Sequence, residues 1–162
     1  MPTTLADVFR HNLWANMCML DVCAGLTDEQ LDASETGTYG RIRDTLLHLV
    51  GAEERYVTRL ADGPAPPLRE REEFPGFDVL RDVSRQSGEA LIEIADRIEP
   101  GTILRGTWRG EPYEMPATVV LTQAINHATE HRSHISTILT HLGIEPPELD
   151  AWSYNSAQWQ TK

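Results

Sequence analysis

Apolar positions recur at helical spacing in four long segments of the chain. The first runs from about Thr4 to Ala24, the second from about Gly40 to Ala61, the third from near Asp78 to Ile98, and the fourth from Pro116 to Gly143. Each ends at or within two residues of glycine or proline, the residues that most often interrupt helices. Strand–helix–strand alternation is absent. The pattern therefore predicts an all-α fold, a four-helix bundle.

The connecting segments differ in composition. Thr27 and Gln30 have the spacing of a capping box just after the first helix. Residues 63–76, GPAPPLREREEFPG, are rich in proline and charge and predict a long crossover loop at the surface. Residues 103–115, ILRGTWRGEPYEM, place Arg-Gly between β-prone residues and predict a small β-hairpin before the last helix. The tail after Gly143 contains two prolines and three aromatic residues, and we expect it to pack as irregular chain.

Charge and composition narrow the classes of function. The 162 residues suit one domain, and a net charge of −11 with a single lysine, Lys162, argues against binding to nucleic acid or anionic lipid. No apolar stretch approaches the roughly 18 residues of a membrane span, and the N-terminus lacks the pattern of a signal peptide. Cys18 and Cys23 lie in one predicted helix, where a mutual disulfide is unfavourable. We therefore expect a cytoplasmic protein with reduced thiols.

Three histidines, His127, His131 and His134, lie within eight positions of the fourth segment. At about 100° per residue, His131 falls in the middle of the apolar stripe and His127 on one shoulder. His134 falls on the other shoulder, nearer solvent, together with His141. The inward pair is therefore His127 and His131. The opposite face is expected to carry Thr129, Arg132, Ser133, Ser136 and Thr140.

The spacing of His127 and His131 brings two imidazole rings close enough to bind one ion. His134 lies about 10 Å from His127 along the helix axis, so a third ligand must come from another segment. The alternative is that both inward histidines are hydrogen-bonded core residues, although burying both without partners is unfavourable. The spacing alone does not decide between a metal site and a polar core.

His11 and His48 are the candidates for a third ligand from another segment. His48 lies to one side of the apolar face of the second segment rather than at its centre. Asp44, one turn before His48, would either accept the proton of its second ring nitrogen or be solvated. Glu53, Glu130, Tyr39 and Tyr113 are nominal acids or bases, each expected to be a surface or packing residue, and Trp14 is expected in the core or in the wall of a site.

The chain resembles the DinB/YfiT-like superfamily of bacterial metalloproteins over nearly its full length. The resemblance rests on HNLWANMCML (11–20), TYGRIRDTLLHLVGAEERYVTRL (38–60) and INHATEHRSHISTILTHLGIEPPELD (125–150). Its centre is a histidine in the second helix followed by N-H-x3-H-R in the fourth. The resemblance implies a single DinB-like domain over residues 1–162. It also implies one divalent ion per chain, held by His48, His127 and His131; zinc or nickel is expected first, with iron and manganese as alternatives.

The resemblance also suggests a reaction, because relatives include transferases that use low-molecular-weight bacterial thiols. It implies a small-molecule substrate, a bacterial thiol, and a metal-dependent thiol transferase. The alternatives are a metal-dependent hydrolase, a non-catalytic metal-binding stress-response protein, and a chain whose histidines are polar core residues without metal. Bundles of this family commonly pair, and the aromatic residues Trp152, Tyr154 and Trp159 would need cover, so we also expect a homodimer.

Overall fold

The protein is mostly helical, with a two-stranded antiparallel sheet. The computed structural model describes residues 4–64, 66–69, 73–108 and 110–160, without the side chains of Trp108 and Gln160. The elements in these ranges are α1 (Thr4–Cys23), α2 (Asp28–Leu31), α3 (Ile42–Leu60), α4 (Phe77–Arg97), β1 (Ile103–Trp108), β2 (Glu111–Pro116), α5 (Ala117–His141) and α6 (Ala151–Gln160). The prediction of a helical chain with a small hairpin before the last long helix is confirmed.

The four long helices contact one another in a closed ring, because α1 and α3 each pack against both α4 and α5. Their apolar faces form two buried clusters. The first cluster contains Met19, Leu20, Cys23, Leu31, Ile42, Leu46, Leu47, Leu49, Val50, Leu80, Ile135, Ile138 and Leu139. The second cluster contains Phe9, Leu91, Ala95, Leu121 and Ala124.

The order in which each helix reaches the two clusters gives its direction. Both α1 and α5 pass from the second cluster to the first, whereas α3 and α4 pass from the first to the second. Two consecutive long helices, α3 and α4, therefore run the same way. Residues 65 and 70–72 of the predicted loop lie outside the described residues, but Arg69 packs over α3, where a Cβ on Gly51 would lie 2.9 Å from the Arg69 Cβ.

Several helix ends follow from local chemistry. The Thr27 hydroxyl accepts a hydrogen bond from Gln30 N, and Gln30 Oε1 accepts one from Thr27 N, so the predicted capping box is present at α2. Pro116 ends β2 and is the N-cap of α5 rather than its first helical residue. Gly143 follows α5 with φ of 72°, a left-handed conformation that glycine adopts without steric strain.

The structure corrects the expectation of an irregular tail, since residues 151–160 form helix α6. Asp150 starts this helix, because its Oδ1 accepts hydrogen bonds from the backbone N–H groups of Trp152 (2.8 Å) and Ser153 (2.9 Å). The Tyr154 ring packs against Trp14, with ring centroids 5.3 Å apart, and so holds α6 on α1. No helix among the residues that the structure describes is long and apolar enough to span a bilayer.

Candidate metal centre

The histidine cluster, made of His48, His127 and His131, lies where α3 packs against α5. The Nε2 atom of His127 is 2.9 Å from Nε2 of His48 and 3.1 Å from Nε2 of His131. One ligand atom from each residue lies within 4.8 Å of the others. His131 is buried, whereas His48 and His127 are half-buried. Three histidines of the structure could therefore hold a metal ion.

Two tyrosine rings flank the histidine cluster. Tyr39, from the loop before α3, stacks on His48 with ring centroids 4.2 Å apart and presents its edge to His131 at 5.0 Å. Tyr56, two turns after His48 on α3, meets the His127 ring edge-on at 5.8 Å. Burial raises the pKa of the Tyr56 hydroxyl. Because Tyr39 is 47% exposed, its side of the cluster borders solvent.

The donor set fits a divalent ion better than it fits hydrogen bonding alone. Burial, followed by the neighbouring histidines, lowers the pKa of His131 to about 4, so its imidazole is neutral near pH 7. A neutral imidazole nitrogen carries in the ring plane either one proton or one lone pair. His127 Nε2 faces the Nε2 atoms of both His48 and His131. A single proton or lone pair on His127 Nε2 can form a hydrogen bond with only one of these two atoms. A single cation would accept a lone pair from each of the three nitrogens.

The support around the cluster is uneven. Metal-bound histidines usually donate their second ring N–H to a carboxylate or carbonyl. The buried Nδ1 atom of His131 has no hydrogen-bond partner within the described ranges. Asp44, one turn before His48, is occupied in a two-pronged ion pair with Arg41, at 2.6 and 2.9 Å. The structure shows Asp44 at the surface, which agrees with the second of the two expectations for this residue.

Comparison with known proteins identifies the family. The sequence model of the DinB family matches residues 1–162. The chain belongs to the DinB family. The fold of this DinB-family protein is similar to a crystal structure of a DinB-like protein from Bacillus cereus. The TM-score is 0.68 at 20% identity, covering 89% of this chain and 94% of that one. Likeness at this identity concerns the fold alone, and no curated protein matches the chain in sequence.

The other histidines of this DinB-family chain lie outside the cluster. The His134 ring is 5.3 Å from that of His131, at the edge of the group. His11, the second candidate for the third ligand, has its Nε2 2.8 Å from the carbonyl oxygen of Leu149 and belongs to the contact between α1 and α6. His141 lies at the surface, 3.5 Å from Glu35. The structure thus brings together the three histidines named from the sequence and separates the rest.

The nominal acids and bases lie in three different settings. Tyr39 borders the histidine cluster, Glu130 is exposed, and Tyr113 lies in the hairpin beneath the Arg59 guanidinium. Trp14 is half-buried against Tyr154 and His11, which lie outside the histidine cluster. Of these four residues, Tyr39 contacts the rings of the cluster.

Two charged residues, one of them expected in solvent, are buried. Arg132 was expected on the polar face of α5, but it is 5% exposed, because α5 packs against α1 as well as α3 and so buries a wider arc. Glu53, expected at the surface or in packing, is 1% exposed. We call the polar group to which both belong the polar layer; its members are Asn12, Asn16, Glu53, Ser87 and Arg132.

Proposed function

We propose that this DinB-family protein binds one divalent ion through His48, His127 and His131 and acts as a metal-dependent transferase of a low-molecular-weight thiol. The observation that carries the proposal is the convergence of three imidazole nitrogens at the contact between α3 and α5. In this proposal the four long helices form the family's four-helix bundle and hold the three ligands on two neighbouring helices. All four of zinc, nickel, iron and manganese accept three neutral imidazoles. Zinc and nickel are the metals expected first, and iron and manganese are the alternatives.

The residues present limit the kind of ligand that the site would favour. When bound, a divalent ion with open coordination positions supplies a Lewis acid that lowers the pKa of a thiol or water beside it. The three histidines contribute no negative charge to offset that of the ion. The site therefore favours an anionic ligand, and thiolate and hydroxide both meet this requirement.

The environment of the cluster supports a small substrate that enters from one side. Tyr39 stacks on His48 on a side that borders solvent, and Tyr56 contacts His127. Tyr39 would lie against a ligand that enters there. The choice of thiol transfer rests on the resemblance to bacterial thiol transferases. Metal-dependent hydrolysis is the second candidate, because the same neutral donor set favours hydroxide.

The reaction class can be tested with a fluorogenic electrophile. Protein loaded with zinc or nickel is incubated with monochlorobimane and, in turn, bacillithiol, mycothiol or glutathione. We expect metal-dependent conjugation with one thiol, its loss in His127→Ala, and its retention in His134→Ala. Silence with every thiol, together with turnover of esters or amides, would replace transfer by hydrolysis. Silence in both assays by protein that holds one ion would favour the non-catalytic metal-binding protein.

A further inference from the structure

The polar layer brings together side chains from all four long helices. Glu53 Oε1, on α3, accepts from the side-chain amides of Asn12 (2.7 Å) and Asn16 (2.9 Å), both on α1. Arg132 Nη1, on α5, donates to the amide oxygens of the same two asparagines. Ser87 Oγ, on α4, lies 3.4 Å from the second oxygen of Glu53, while the nearest acceptor for its proton is the carbonyl oxygen of Val83 at 3.0 Å. Two amides therefore bridge a buried carboxylate to a buried guanidinium.

The layer separates the two apolar clusters along every long helix. On each helix the layer residues lie between members of the two clusters: Asn12 and Asn16 between Phe9 and Met19 on α1; Glu53 between Val50 and the half-buried Val57 on α3; Ser87 between Leu80 and Leu91 on α4; and Arg132 between Ala124 and Ile135 on α5. Apolar contacts are non-directional, so the two clusters alone tolerate small shifts of one helix along another. Buried charges are satisfied only where their partners align, and this requirement specifies one register.

The two helices that carry the histidines also carry the two ionisable residues of the layer. Glu53 follows His48 on α3, and Arg132 directly follows His131 on α5. Any rotation or slide of α5 that moves His131 away from the cluster also pulls Arg132 from Asn12 and Asn16. His131 itself lacks a hydrogen bond at Nδ1 within the described chain, so its ring orientation depends on the setting of the helix that carries it.

We infer that the polar layer is a positioning device for the metal centre: Arg132, held to Glu53 through Asn12 and Asn16, sets the rotation and register of α5 that direct His127 and His131 toward His48. This inference rests on the proposed metal site, but it concerns the arrangement of the histidines and applies with or without metal. Arg132 and Glu53 are positioning residues, since neither touches the histidine rings in the contacts of the cluster.

The test compares Arg132→Met with Leu91→Ala, which removes apolar volume from the second cluster but no side chain of the layer or of the histidine cluster. Both variants are studied at a temperature where circular dichroism shows them folded. Zinc affinity is measured by competition with a chelating dye. We expect Arg132→Met to bind zinc about tenfold or more weakly, as is typical when a group supporting a ligand is lost. Leu91→Ala should stay within about twofold of the natural sequence. Asn16→Ala replaces Arg132→Met if the latter does not fold.

A second readout needs no metal. In chelator-treated protein, magnetisation transfer between the ring protons of His48 and His127, whose ring centroids are 4.8 Å apart, reports the convergence of the cluster. We expect this signal to be lost in Arg132→Met and kept in Leu91→Ala. Unchanged affinity and signal in Arg132→Met, or equal losses in both variants, would overturn the inference. If the natural sequence binds no zinc, the proposed function fails, and the ring-proton signal alone decides the role of the layer.

Discussion

His131 and Arg132 are consecutive residues of α5, yet their side chains enter two different buried polar groups. The Nε2 atom of His131 lies 3.1 Å from that of His127, in the histidine cluster between α3 and α5. The Arg132 guanidinium turns toward α1, where its Nη1 donates to Asn12 Oδ1 at 2.8 Å. Neighbouring side chains on a helix point about 100° apart, so α5 can serve both groups only because it packs in the angle between α1 and α3.

The first prediction concerns metal content. His131→Ala should abolish stoichiometric metal, because it removes the most buried of the three converging nitrogens. His134→Ala is the matched control, since its ring lies at the edge of the cluster, 5.3 Å from His131. Elemental analysis of the two purified variants beside the natural sequence provides the measurement. Metal lost from His134→Ala but retained by His131→Ala would show that the ligands are assigned to the wrong face of α5.

The second prediction concerns the pH dependence of folding. Burial, which outweighs its hydrogen bonds and the charge of Arg132, raises the pKa of Glu53 from 4.5 to about 7. Between these values the folded chain keeps a proton on Glu53 that the unfolded chain releases, so this residue's contribution to stability falls as pH rises. His131, whose pKa is lowered from 6.5 to about 4, has the opposite effect. Between these two pH values its contribution to stability rises as pH rises. A difference between variants is therefore needed to isolate Glu53.

Urea unfolding of the natural chain and of Glu53→Gln, both with chelator present, isolates the carboxyl group. The difference in free energy of unfolding, natural minus variant, should decrease by up to about 1.4 kcal/mol per pH unit between pH 4.5 and 7. His131 is common to both proteins and cancels. A difference that is flat over this range, or that grows with pH, would mean that Glu53 is already ionised in the folded chain at low pH.

The third prediction concerns the close approach of α1 and α4. A Cβ added to Gly88 would lie 2.7 Å from Cδ1 and 3.1 Å from Cβ of Leu13. Gly88→Ala should destabilise the fold by roughly 1 kcal/mol, as overpacking exceeds the gain in helix propensity. Gly40→Ala is the control, because nothing lies within 4 Å of a Cβ there. Denaturant unfolding would contradict the prediction if Gly88→Ala were the more stable of the two.

The homodimer expected from the aromatic tail stays a prediction. Tyr154 packs on α1, but Trp152 and Trp159 are 83% and 76% exposed. They lie seven residues apart on one face of α6, a helix without charged residues in a chain of net charge −11. Light scattering should give about twice 18.2 kDa for the natural chain and a monomer for Trp152→Ala/Trp159→Ala. A natural chain that scatters as 18.2 kDa at micromolar concentration would rule the dimer out.

Sequence patterns located the long helices to within a few residues, because apolar periodicity, capping residues and glycine or proline breaks are local properties of the chain. The hairpin before α5 and the inward pair His127 and His131 were predictable for the same reason. His48 was named from family resemblance, since its position beside the apolar face of α3 did not identify it. The start of α6 also had a local signal, because Asp150 can accept hydrogen bonds from the first backbone N–H groups of a helix. The two prolines before it led instead to the expectation of irregular chain.

Only the tertiary structure decided which charged residues are buried and which partners they have. A helical wheel assumes one buried face, so it assigned Arg132 to solvent, whereas α5 has two packing neighbours and buries it. Glu53 and Arg132 find their partners 41 and 120 residues away, in Asn12 on α1. Such long-range hydrogen bonds leave no periodic trace in the sequence, because whether a buried charge is satisfied depends on which helices meet around it.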